Sequence, residues 1–171
     1  AFDRALAEAE TEETRIAVVE RELDAIEREI GQLRGSQRAV LGAYTNDSLS
    51  TDTLLRNLAR LDAAATGVES RLQRVRTTIE RVGVPTELQT RRYNVRSRLL
   101  GLGGPASARV SDAMAGRGPA TDAYVAVMGS NGVVVSTVEN GWLYREAYDG
   151  TQLGTGGPDN FAQQGSPVSV A

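Results

Sequence analysis

The sequence predicts a mainly helical α+β fold: a long antiparallel coiled-coil hairpin, two shorter helices and a three-stranded antiparallel sheet. Three observations predict it. Two heptad seams run without a slip: Ile16, Val19, Leu23, Ile26, Ile30, Leu33, Gln37, Val40, Tyr44, and then Leu54, Leu58, Leu61, Ala65, Val68, Leu72, Val75, Ile79, Val82. Nine residues separate Tyr44 from Leu54, enough for a reversal of direction. After Gly116 the composition turns to short Val- and Tyr-rich runs broken by Gly and Asn. A 3.5-residue repeat keeps one narrow stripe turned towards a partner helix, so the two seams are expected to zip against each other.

Residues 1–9 read as a short helix with Phe2 and Leu6 on one side. Thr11 is a plausible N-cap, with Glu12 and Glu13 placing acid in the first turn. The helix that follows runs to about Tyr44, although Gly31, Gly35 and Gly42 each cost about 1 kcal/mol relative to Ala in its second half. Thr45–Ser50 is a polar turn, and Ser50 caps the second long helix. That helix ends at Val82, since Gly83 suits a C-cap and Pro85 forbids continuation. A helix follows over about Thr86–Leu100, then a short one over Pro105–Ala115 with Pro at its first position.

Ala123–Met128, Gly132–Val138 and Trp142–Tyr148 are expected strands. Asn131-Gly132 and Asn140-Gly141 sit at the two turns between them, a hairpin signal. Gly150–Ala171 is rich in Gly, Gln, Ser and Pro and reads as a linker or extended tail. The domain reading is therefore a helical region over 1–100 containing the hairpin at 11–82, a short helix and meander over 101–150, and a tail over 151–171.

Composition narrows the chemistry. The 171 residues carry no Cys and no His, and all 19 basic residues are Arg. Disulfides, thiolate metal sites, cysteine nucleophiles and histidine bases are therefore absent from this chain. Aromatic residues are 5% of the chain, so the core must be aliphatic. A net charge of −3 argues against a general nucleic-acid binder. No stretch approaches the roughly 20 apolar residues of a membrane span. The first residue is Ala rather than Met, which suits a mature or trimmed product.

Charge is sorted along the chain. Residues 1–30 carry ten acids and four Arg, whereas residues 56–98 carry ten Arg and four acids. Antiparallel packing brings these segments together, and pairs of Glu22, Glu27 or Glu29 with Arg71, Arg74 or Arg76 are expected to set orientation.

Candidate sites are few. Asn46-Asp47-Ser48 is an N-glycosylation sequon at the expected hairpin tip, although Asn and Asp also favour turns. Arg91, Arg92, Arg96 and Arg98 form a basic cluster. It reads either as a phosphate or nucleic-acid patch, or as a solvated face or partner for the acidic first long helix, and the acidic net charge favours the second reading. Trp142, Tyr144 and Tyr148 alternate onto one sheet face, either as core against the two shorter helices or as an exposed aromatic platform. Arg91, Arg92, Arg96, Trp142 and Tyr144 are the candidate interaction residues. Gly101-Leu102-Gly103-Gly104 lacks the Lys-Ser/Thr of a P-loop and follows a helix rather than a strand. Glu20, Asp24 and Glu27 suit a coiled-coil solvent face better than a cation site. No nucleophile motif and no calcium-loop spacing occur. No cofactor, metal or catalytic residue is expected.

Leu54-Leu55-Arg56-Asn57-Leu58-Ala59-Arg60-Leu61-Asp62 and Ala123–Gly150 carry a resemblance. In the second stretch the likeness lies in Tyr124-Val125-Ala126, Gly132-Val133-Val134-Val135-Ser136 and Tyr144-Arg145-Glu146-Ala147-Tyr148. With the order of segments through residues 1–150, these resemble uncharacterised exported haloarchaeal surface proteins. The resemblance implies a signal peptide in the precursor, an extracellular location and a membrane anchor or further domain downstream, with no activity or catalytic residues to transfer. The expected function is a non-enzymatic cell-surface structural or interaction protein with protein partners, self-association among them. The alternative is a ligand-binding or regulatory module of a larger membrane-anchored exported protein. A hydrolase working with Asp and Glu alone is a third option.

Overall fold

A computed structural model describes residues 1–83, 85–100, 102, 105–127, 133–139, 142–147, 152–156 and 168–170. Five helices precede a small antiparallel sheet: α1 (Phe2–Glu8), α2 (Glu12–Thr45), α3 (Thr51–Val82), α4 (Thr86–Leu100) and α5 (Pro105–Met114). The strands are β1 (Thr121–Val127), β2 (Val133–Glu139), β3 (Trp142–Ala147), β4 (Gln152–Gly156) and β5 (Val168–Val170).

The long helices begin and end on local chemistry. The Thr11 hydroxyl accepts from the Thr14 N–H at 3.2 Å, and the Thr14 hydroxyl accepts from the Thr11 N–H at 3.1 Å. This reciprocal pair satisfies two donors that a helix start leaves orphaned. Ser50 caps α3 in the same way, accepting from the Thr53 N–H at 3.3 Å. Gly83 ends α3 in the left-handed region at φ 67°, and its N–H reaches the Ile79 carbonyl at 3.2 Å. Gly116 ends α5 likewise at φ 66°. The Arg117 N–H closes that motif on the Asp112 carbonyl at 2.8 Å. The three glycines of α2 do not interrupt it. Burial of its seam outweighs their local cost, since each large apolar side chain taken from water contributes about 1.5–3 kcal/mol.

The seams face each other as expected. Val19, Leu23, Ile26, Ile30, Val68, Leu72, Val75 and Ile79 share one buried cluster. That cluster also takes in Leu88, Val95, Leu99 and Leu102, so α4 lies along the hairpin and the base is a three-helix bundle. A second cluster joins Leu54, Leu58 and Leu61 to Leu55 and Ala59 of α3, Val110 and Ala113 of α5, and Ala123, Val133 and Val135 of the sheet. Two adjacent stripes of α3 are thus buried: the seam against α2, and Leu55 with Ala59 on the flank where α5 and the sheet pack. Leu33 of α2 packs against both clusters, and Val40 and Tyr44 border the second.

The sheet corrects the three-stranded expectation. Five strands are hydrogen-bonded in the order β4-β3-β2-β1-β5, every neighbouring pair antiparallel. The extra two lie in the segment read as a linker or tail. Gly-rich β4 has low intrinsic strand preference but pairs with β3, and a three-residue β5 is too short to carry an alternating pattern. Both hairpin turns fall outside the described residues.

Candidate functional site

The hairpin tip is built from the end of α2. Asn46 is its C-cap, and Asp47 adopts φ 55°, a left-handed conformation that Asp tolerates better than most residues. The Ser48 N–H donates to the Ala43 carbonyl at 2.9 Å, and the Ser48 hydroxyl donates to the Asn46 carbonyl at 3.3 Å. A 3.1 Å hydrogen bond between Tyr44 Oη and Thr51 Oγ1 clasps the two helices just below. Asn46, Asp47 and Ser48 are all exposed, so the sequon sits at an accessible point.

The four arginines of α4 do not form one patch. Arg91 turns to α2, bonding Glu27 at 3.0 and 3.2 Å and also Asp24. Hydrogen bonds to Glu27 and then Asp24 push its pKa up, so it is a fixed cation. Arg96 pairs with Glu69 of α3 at 3.4 Å. Arg92 lies 5.1 Å from the ring centre of Tyr93, which is 64% exposed. Near Arg98 the contact is with the backbone, whose carbonyl accepts from Arg34 at 2.7 Å.

A second arginine clamps the hairpin itself. Arg71 of α3 bonds Glu22 at 2.8 Å and also Glu29 on α2. The Glu22 bond is the chief cause of its raised pKa. Of the expected cross-helix pairs, these two form. Arg76 instead bonds Glu80 on its own helix, and Glu27 goes to Arg91.

The aromatic residues of β3 part company. Trp142 is 55% exposed, while Tyr144 is half-buried with the Arg109 guanidinium 3.5 Å from its ring centre. Core packing therefore does not describe Trp142, which begins its strand opposite Glu139. Tyr148 lies outside the described residues.

Two features escaped the sequence reading. Asp62 of α3 is half-buried against α5, where desolvation raises its carboxyl pKa and the neighbouring Asp112 adds to the rise. A bond to Ser111 and the charge of Arg117 oppose it. The available signal was the spacing Leu55, Ala59, Asp62, which continues the second stripe of α3. Thr137 on β2 is fully buried, and among the described residues its hydroxyl has no hydrogen-bond partner. No sequence signal marked it.

A shallow groove of about 600 Å³ runs along the outer face of α3 beside α1. Its hydroxyls are already engaged: Thr66, Ser70 and Thr77 donate to carbonyls of their own helix at 3.0 to 3.1 Å. Among the described residues, no three Asp or Glu side chains gather closely enough to hold a metal ion, and no helix is long and apolar enough to cross a membrane.

Fold and surface together define a helical hairpin that carries a small sheet, with Arg71, Arg91 and Arg96 each tying one helix to another. Residues 1–118 match the family described as a domain of unknown function, DUF7096, and the chain belongs to that family. The match ends just past the glycine cap of α5. No curated protein and no solved structure matches the chain.

Proposed function

We propose that this chain is a non-enzymatic, extracellular cell-surface structural or interaction protein, acting as a subunit of a surface assembly in a haloarchaeal setting. The observation that carries the reading is the clamped hairpin with its sequon exposed at the reversal between α2 and α3. A 32-residue α3 spans about 48 Å at 1.5 Å per residue. Arg71 and Arg91 fix its neighbours by bonds from both sides of α2's acidic face, which suits a spacer rather than a hinge. A glycan on Asn46 would stand at the reversal between α2 and α3, at the end of the hairpin on which α5 and the sheet pack. Contacts with the membrane would run through a segment outside these residues.

The test is made on native cells. Trypsin added outside should release peptides from exposed arginines such as Arg74 and Arg81, and mass spectrometry should find the Asn46 peptide carrying a glycan. A chain protected in intact cells and released only on lysis, with Asn46 bare, would overturn the reading.

A further inference from the structure

We propose that β5 is an exchangeable strand: the β1 edge that holds Val168–Val170 takes the same segment of a second copy, and this joint links chains into an assembly. The proposal rests on the assembly-subunit reading above and names its contact.

The register carries the argument. β5 meets β1 through three residue pairs, Thr121 with Val170, Asp122 with Ser169 and Ala123 with Val168. By comparison, β2 meets β1 through six. Among the described residues, β5 is therefore held by the shortest ladder in the sheet. It also sits at the edge opposite β4, although it is the next strand in the chain. Crossing four strand spacings takes about 19 Å. The eleven residues 157–167 reach roughly 36–40 Å when extended. That surplus lets one chain deliver β5 to its own β1 or to a neighbour's.

The occupant is set by complementarity already present. A β1 edge that accepts Val168-Ser169-Val170 from its own chain accepts the identical segment from another copy through the same backbone bonds, so exchange adds no new interface chemistry. Among the described residues, Tyr124–Val127 pair only with β2, and Ala126 and Val127 are exposed, Val127 to 46%. An exposed strand edge is a template for strand addition. Each chain carries one such strand and one such edge, so exchange either closes as a dimer or propagates.

The chain has no cysteine, so disulfide trapping has a clean background. Two full-length single variants, Asp122→Cys and Ser169→Cys, are mixed at high concentration and oxidised, with Ser50→Cys plus Asp122→Cys as the control pair. The expected result is a two-chain species joined through positions 122 and 169, identified by mass spectrometry, and none from the control. Unmodified protein supplies a measurement that does not depend on the variants folding. Its light-scattering mass should rise from one chain to two or more with concentration. An excess of the peptide Gly-Ser-Pro-Val-Ser-Val-Ala (residues 165–171) should return it to one chain. Cross-links no stronger than the control, or an assembly indifferent to the peptide, would overturn the proposal. Surface location and the Asn46 glycan are read on cells, so their failure is separable from failure of the exchange.

Discussion

The base and the tip of the hairpin are held by different means. At the base, α2, α3 and α4 enclose an aliphatic core, and Arg71, Arg91 and Arg96 each bridge from one helix to another. At the tip, α3 packs on α5 and the sheet, and the polar groups brought inside are poorly matched: a half-buried Asp62 beside Asp112, and the Thr137 hydroxyl, unpartnered among the described residues. The difference teaches that a regular seam can carry its charges on its flanks and satisfy them there. A junction between helices and a sheet must accept side chains from elements with unrelated periods, and mismatches collect in it.

The largest test of this contrast is Ile26→Ala. Ile26 is fully buried in the base cluster, and its truncation should cost about 3 kcal/mol in urea unfolding. A loss under about 1 kcal/mol would mean that the seam is not the main core. Arg71→Met should come next. It leaves Glu22 and Glu29, two carboxylates on one helix face, without their shared cation. The expected loss is about 1–2 kcal/mol. The gap between this variant and the parent should narrow as salt is raised, because these groups are only partly buried. A gap that is constant with salt would assign the effect to packing of the arginine stem.

The tip should respond in the opposite direction. Thr137→Val removes a buried hydroxyl that finds no partner while keeping the side-chain volume, and should stabilise by about 1 kcal/mol. Destabilisation would show that the hydroxyl is engaged in solution. Asp62→Asn should give the smallest gain, with a diagnostic pH dependence. Below the ordinary value of 3.8, Asp62 is neutral in folded and unfolded chains and imposes no penalty. The penalty grows as pH rises through the raised folded-state value and is complete above it. Thermal melts should therefore coincide near the acid limit and separate in favour of Asn towards neutral pH. Asp112, Ser111 and Arg117 face the same carboxyl, and the separation reports on that group of side chains together.

The base was largely legible because each seam residue repeats a rule that needs no knowledge of the rest of the chain. The docking of α4 was legible in principle: Leu88, Val95, Leu99 and Leu102 continue a heptad spacing, and Arg91 sits on its flank opposite Asp24 and Glu27. The expectation that this cluster partners the acidic first long helix holds for Arg91, whereas Arg96 turns to α3, since neighbours in sequence point to different helices around a helical axis. The tip was harder. Whether Trp142 is covered depends on how far α5 extends over β3, which no local pattern records. β4 and β5 are defined by their partners, and a strand such as Gln152–Gly156 has almost no signature of its own. The sequon was visible from the order of three residues alone, whereas its exposure follows from the reversal at Asp47.

One helix threads both clusters. Strain entering through the sheet meets α3 at Leu55 and Ala59 and is handed on at Val75 and Ile79, about 30 Å away at 1.5 Å per residue. A helix of that length resists bending along its axis, so a pull on the sheet is felt as a lever stroke at the far end of the rod.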